Sequence, residues 1–360
     1  MIRTFGSPRR YVQGPGALDH LGQQLAGFAR RPAVVVDADV LPFVQARLQA
    51  TLADLSPLVM PLRGEVTWAA IDVLCAQAAE AGCDLVVGLG GGKGLDAAKG
   101  VALRLRLPYA AVPSIASNDG PTGRAMAIYD DAHALVAIET LPDSPVLVLV
   151  DTGLIAHAPS RFLRAGIGDA IAKKFEAERA KADGALNFFN TMPLLTAGAI
   201  ADACYATLRQ HGVAAMAAAE THLPNAAFEA VVEANVLMAG LAWESGGLSY
   251  AHAVVRGLVK ARGAKTALHG YHVAYGTLVQ LAIEDRTDSF LLDLMGFNRQ
   301  VGLPASLADL GMADVTDREI ADIAHLTTQG PKGGRIIVAA TPGIIAQAII
   351  RVETLATHTK

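Results

Sequence analysis

Gly88-Leu89-Gly90-Gly91-Gly92-Lys93-Gly94-Leu95-Asp96-Ala97-Ala98-Lys99 follows the β-branched run Asp84-Leu85-Val86-Val87 and opens a helix expected over 94–105. Residues without Cβ stand where the chain turns from strand into helix. The unpaired amides and positive dipole end of such a helix start suit a diphosphate, and the glycines let it approach the main chain. The other reading is a tight strand-to-helix turn with no ligand. The loop is not a Walker A sequence, because Gly-Lys-Ser/Thr is missing, and it is not a G-x-G-x-x-G fingerprint in its usual first-strand place.

Working outward, the runs at 33–36, 58–60, 84–87, 109–112 and 145–150 read as strands, with helices near 41–54, 67–81 and 94–105 between them. Such alternation signals a largely parallel α/β sheet. Asp37 ends the first of these runs. A carboxylate there either accepts hydrogen bonds from an adenosine ribose, favouring NAD over NADP, or caps a helix. Beyond Asp151 the texture changes to Ala- and Leu-rich segments at 193–209, 224–242 and 273–284, with apolar residues at helical spacing. The breakers Thr152-Gly153, Pro159-Ser160 and Gly166 place the boundary near 151–165, giving an α/β domain over 1–158 and a nearly all-helical domain over 159–360.

Composition excludes several classes. With 360 residues, 52% hydrophobic and 18% charged, the chain can bury a large core in about two domains. Thirty Lys plus Arg against thirty-four Asp plus Glu, scattered, leave no electrostatic footprint for nucleic acid. The mean hydropathy of +0.34 raises the question of a membrane, yet no run of 18 apolar residues escapes a charge, a Pro or a Gly cluster, so no span is expected. The start has no apolar signal core, and Cys75, Cys83 and Cys204 are odd in number without metal-ligand spacing. Reduced thiols in a cytoplasm are the expectation.

Six blocks occur in order: Tyr11-Val12-Gln13-Gly14, the glycine loop, Pro113-Ser114-Ile115-Ala116-Ser117-Asn118-Asp119, Ala165-Gly166-Ile167-Gly168-Asp169, Glu244-Ser245-Gly246-Gly247-Leu248 with Ala251-His252-Ala253, and His269-Gly270. Together they resemble the glycerol dehydrogenases of the iron-containing alcohol dehydrogenase superfamily, which also holds dehydroquinate synthases. The resemblance implies the dehydroquinate synthase-like fold: an α/β nucleotide-binding domain, an all-α domain, and a cleft holding NAD and one divalent metal. It implies Asp169, His252 and His269 as metal ligands and Asp119 beside the substrate hydroxyls. Ser114, Ile115 and Ser117 would line the cofactor with Gly91, Gly92, Lys93 and Asp96. Lys93 and Lys99 either reach phosphates or serve as a solvated face and a partner for Asp96. Relatives form homo-oligomers, commonly octamers.

One carboxylate and two imidazoles suit Zn²⁺ with a fourth position open, and a Lewis acid there makes an alcohol a hydride donor to nicotinamide. Members of the superfamily that prefer iron carry a further His four residues after the Asp; here that residue is Lys173, which favours zinc. The chain also departs from the pattern at Arg124, Arg256, Lys174 and His272. If those cations face the site, the substrate is an anionic alcohol such as a glycerol phosphate, a phosphonate or a 2-hydroxy acid. His272 shares a helix face with His269 and reads as a partner behind the ligands, a proton relay or a surface group. His20, His133, His157, His211, His222, His325 and His358 read as core or surface residues. The function expected is NAD-dependent oxidation of a small polyol, glycerol to dihydroxyacetone, with the anionic alcohol, a dehydroquinate-synthase-like cyclase and a non-enzymatic binding protein as alternatives.

Overall fold

The computed structural model describes residues 2–132, 134–330 and 335–357, so His133 and His358 lie outside the described residues. The chain forms two compact units. One comprises Gly6–Pro159 and Ala218–Gly240, and the other Met1–Phe5, Ser160–Ala217 and Leu241–Lys360.

The first unit carries the sheet. Its strands are β1 (Tyr11–Gly14), β2 (Pro32–Asp37), β3 (Leu58–Leu62), β4 (Leu85–Gly90), β5 (Tyr109–Pro113) and β8 (Leu147–Asp151), all parallel in the order β1-β8-β5-β4-β2-β3. β4, β5 and β8 are buried along their whole length. Both faces being covered is why they read as continuous β-branched runs rather than alternating ones. Val34, Val36, Leu85, Val87, Leu89, Val112, Leu147 and Leu149 pack with Leu18, Leu21, Leu25, Val44 and Leu48 on one face. Register sets Val36 beside Leu89 and Gly90 beside Pro113, so the carboxyl ends of β2, β4 and β5 lie together. The chain leaves β2 for β3 on one side and returns to β4 on the other, which makes this the switch point where open α/β sheets bind ligands.

Two features escaped the pattern reading. β6 (Ala125–Tyr129) and β7 (Leu135–Thr140) form a separate antiparallel hairpin, and β1 is a short edge strand. The helical run Ala226–Gly246 is long and apolar enough to cross a membrane by length and composition alone, although Glu229, Glu233 and Glu244 interrupt it, as the sequence reading required of every apolar run. More than half of it is buried in the protein, as in a core helix. Its segment Ala218–Gly240 groups with the sheet-bearing unit, although it falls in the stretch read from sequence as the helical domain.

The second unit is helical among its described residues. Helices Arg161–Ala170 and His269–Ile283 meet backbone to backbone: a Cβ on Gly270 would lie 1.7 Å from the Ala165 carbonyl oxygen, and one on Gly168 would lie 2.3 Å from that of Gly270. Gly276 makes a similar approach to Ala251 in the helix Tyr250–Leu258. These glycines set the spacing of the three helices that carry the candidate ligands.

Candidate metal centre and glycine loop

Asp169 ends the helix Arg161–Ala170, His252 lies in the first turn of Tyr250–Leu258, and His269 opens His269–Ile283. Asp169 Oδ1 is 3.3 Å from His252 Nε2 and 3.9 Å from His269 Nε2. One donor atom from each residue falls within 4.8 Å of the others. Four-coordinate zinc has ligands about 2.0–2.2 Å away, which puts them roughly 3.3–3.5 Å apart. The three donors are therefore close enough to converge on one divalent ion. Asp169 is buried, while the His269 side chain is 47% exposed and leaves the cluster an open flank.

Glu176, which the sequence reading did not single out, completes the cluster from the helix Lys173–Ala182. Its Oε2 is 2.7 Å from His252 Nδ1, and its Oε1 accepts the backbone N–H groups of Ser249 and His252. With Nδ1–H given to Glu176, the Nε2 of His252 faces Asp169 at 3.3 Å, and a metal ion would take the place of the proton that Nε2 carries there below about pH 9. Histidine ligands are commonly fixed in this way by a carboxylate behind them. The signal was present: Asp169, Lys173 and Glu176 recur at i, i+4 and i+7.

The electrostatics follow from this packing. Burial opposes ionisation of Asp169, but Lys173 and the two imidazoles hold its carboxyl well below the usual carboxylate range. Burial also opposes ionisation of Glu176, but His252, Lys173 and the Ser249 N–H together hold its carboxyl below the ordinary value. Burial disfavours the cationic form of His252, yet Glu176 pushes its pKa up to about 9. His269 is held below its ordinary value by the protein around it, with His252 and Lys173 adding to the shift.

The glycine loop lies in the first unit. Gly90 has φ +145, and a Cβ there would meet Asp37 Cβ at 2.7 Å, so glycine is required on both counts. Gly91 precedes the helix Gly92–Leu105 with no side-chain cap, and a Cβ on Gly92 would stand in open space. Among the described residues no side chain caps the first-turn amides at the switch point, beside Asp37 on β2 and Ser114, whose N–H bonds Gly90 O. Ile115 packs on Gly91, and Ser117 is half-buried farther along the same segment. Two of the residues read as cofactor contacts are engaged elsewhere. The Lys93 ammonium pairs with Glu65 at 3.1 Å, and the Asp96 carboxylate accepts Ala127 N–H in β6 and faces Lys99.

Asp119 is buried on a loop that several groups fasten. Lys99, fully buried, donates to the carbonyls of Gly120 and Ala125 at 2.8 Å each. Asn235 donates to Ala116 O, and Thr122 donates to Val236 O, both from a π-type turn at Ala234–Met238. Such turns are frequent at functional sites. The departures from the family pattern also have partners. Arg124 donates to Leu141 O and Pro142 O, Arg256 to Thr327 O, and Lys174 pairs with Glu178 and Asp202. His272 is buried, with Nε2 2.8 Å from Ala264 O, so it pins the turn that leads into His269.

Comparison with known proteins places the chain. The family described as iron-containing alcohol dehydrogenase matches residues 8–152. A glycerol dehydrogenase of Pseudomonas putida is 38% identical over 91% of this chain and 90% of its own length. One from Thermotoga maritima is 39% identical over 90% and 89%. The crystal structure of glycerol dehydrogenase from Schizosaccharomyces pombe superimposes with a TM-score of 0.93 at 33% identity, covering 99% of this chain and 92% of that one.

Proposed function

The chain belongs to the iron-containing alcohol dehydrogenase family, and on that premise we propose that it is an NAD-dependent, metal-dependent polyol dehydrogenase that oxidises glycerol to dihydroxyacetone. The observation that carries this reading is the Asp169–His252–His269 cluster, with Glu176 fixing the His252 tautomer. In it, Asp169, His252 and His269 hold the metal, with zinc preferred over iron because Lys173 stands where a further imidazole would.

When bound, the metal supplies Lewis acidity that eases loss of the hydroxyl proton, and NAD supplies the hydride acceptor. The protein's own part is arrangement. Glu176 keeps the Nε2 side of the His252 ring turned to Asp169. The amides around Gly91, Gly92 and Lys93 receive the cofactor diphosphate, Asp37 the ribose, and Ser114, Ile115 and Ser117 line the remainder. Asp119, on its fastened loop, orients the second hydroxyl of a vicinal diol by hydrogen bonding. Asp96 acts one step back, holding β6 through Ala127. By the family resemblance the enzyme is a cytoplasmic homo-oligomer.

Arg124, Arg256 and Lys174 each have an internal partner, which supports a neutral polyol over the anionic alternative. The test is initial NADH formation by metal-quantified protein with glycerol, 1,2-propanediol, glycerol 1-phosphate, glycerol 3-phosphate and small 2-hydroxy acids. Fastest turnover per KM with glycerol or propanediol is the expected result. Preference for an anion overturns the polyol reading, and NAD that cycles with no net NADH points to the cyclase.

A further inference from the structure

We infer that Lys173 is a built-in competitor for the metal ion: its ammonium stands against the same donor atoms and keeps metal binding weak enough to exchange. This rests on the metal-centre reading above. Lys173 lies four residues after Asp169, at the start of the next helix, its side chain is 1% exposed, and its Nζ donates to Asp169 Oδ1 at 2.8 Å. The same nitrogen is 3.5 Å from His252 Nε2. Those are two of the three atoms assigned to the metal, and Glu176, bonded to Nδ1, has turned Nε2 toward Asp169.

A divalent ion bonded to both atoms at about 2.0–2.2 Å needs the electron pairs that the ammonium faces. It would also meet a like charge a few ångströms away, at a buried position where salt and water screen little. Loading therefore requires Lys173 to turn away from Asp169, and the work of that displacement is subtracted from metal affinity. The same ammonium, with His252, balances Asp169, a buried carboxylate that would keep only part of its compensation without the lysine. A lysine here trades metal affinity for a cluster that stays assembled without metal.

The experiment measures the zinc dissociation constant of the full-length protein by competition with a chromogenic chelator at one fixed pH. Wild type is compared with Lys173→Met, Lys173→Gln and Lys173→Arg, with His252→Ala as the control that the titration reports this cluster. The neutral variants are expected to bind zinc at least fivefold more tightly than wild type, and the arginine variant to stay near wild type. Metal-free Lys173→Met is expected to melt below metal-free wild type and to recover when zinc is added. A tightening of less than fivefold in the neutral variants overturns the inference and leaves the metal centre standing. Failure of wild type and neutral variants alike to bind zinc in a His252-dependent way overturns the metal-centre reading itself. Should Lys173→Met not fold, Lys173→Gln carries the comparison.

Discussion

Gly270→Ala should dismantle the metal centre without touching a ligand. An ideal Cβ at this position falls 1.7 Å from Ala165 O and 2.5 Å from Ala165 C, about 1.3 Å short of the 3.0 Å that real Cβ atoms essentially never undercut. The obstacle is a backbone carbonyl, so no rotamer change relieves it. Helices Arg161–Ala170 and His269–Ile283 must part by on the order of an ångström, at the residue next to His269 and one turn before Asp169. Metal sites tolerate departures of about 0.2 Å in ligand distance. Overpacking of this kind costs roughly 1–3 kcal/mol in stability. We expect the variant to fold with a lowered thermal midpoint, to lose zinc on desalting as read by atomic absorption, and to lose NADH formation in the same proportion. Gly198→Ala is the control, since nothing lies within 4 Å of a Cβ there. It should retain full zinc and gain up to about 1 kcal/mol from helix propensity. A Gly270→Ala enzyme with wild-type zinc content and rate would refute the argument that glycine contact sets the ligand spacing.

Three further outcomes follow from the same geometry. Glu176→Ala should weaken zinc binding about 10–100-fold, because His252 loses the acceptor that fixes its tautomer; chelator competition measures this, and unchanged affinity would remove Glu176 from the site. In metal-free protein, the His252 pKa raised from 6.5 to about 9 stabilises the fold fully below about pH 6.5 and ceases to do so as pH rises through about 9. The lowered Asp169 and Glu176 contribute above the ordinary carboxylate range and lose that contribution in acid. The thermal midpoint of chelator-treated protein should therefore fall between pH 7 and 9.5, and a flat profile there would contradict the assigned ion pair. Lys99→Met removes the donor from two partly buried carbonyls, at roughly 1 kcal/mol each, and loosens the Asp119 loop. It should lower the thermal midpoint and raise KM for glycerol while zinc content stays at wild-type level, and an unchanged KM would detach Lys99 from substrate positioning.

The parallel sheet was legible because its central strands are buried on both faces, and such strands must be written as uninterrupted apolar runs. The hairpin of β6 and β7 was not: Leu135, Val136 and Ile138 are exposed, so burial imposed no alternation for a pattern to detect. The same distinction governs the site. Nothing in local spacing joins Asp169, His252 and His269, which lie on three different helices; only the resemblance singled them out, and helix packing through Gly168, Gly270 and Gly276 brings them together.

Where a role depends on which way a helix face points, residue spacing alone leaves it open. Asp96 and Lys99 stand three apart on the helix behind the glycine loop; the resemblance sets Asp96 at the cofactor, while Lys99 reads either toward a phosphate or as a partner for Asp96. Packing turns them to β6 and to the carbonyls around Asp119. The glycine loop and the Asp119 loop are thus fastened by one helix: its first turn presents uncapped amides, and its second turn anchors the segment that carries the carboxylate. A change in the seating of that helix must move both together. Mutations along Gly92–Leu105 should therefore shift KM for NAD and for the alcohol in parallel, whereas mutations on the helices of the metal cluster should act through zinc content.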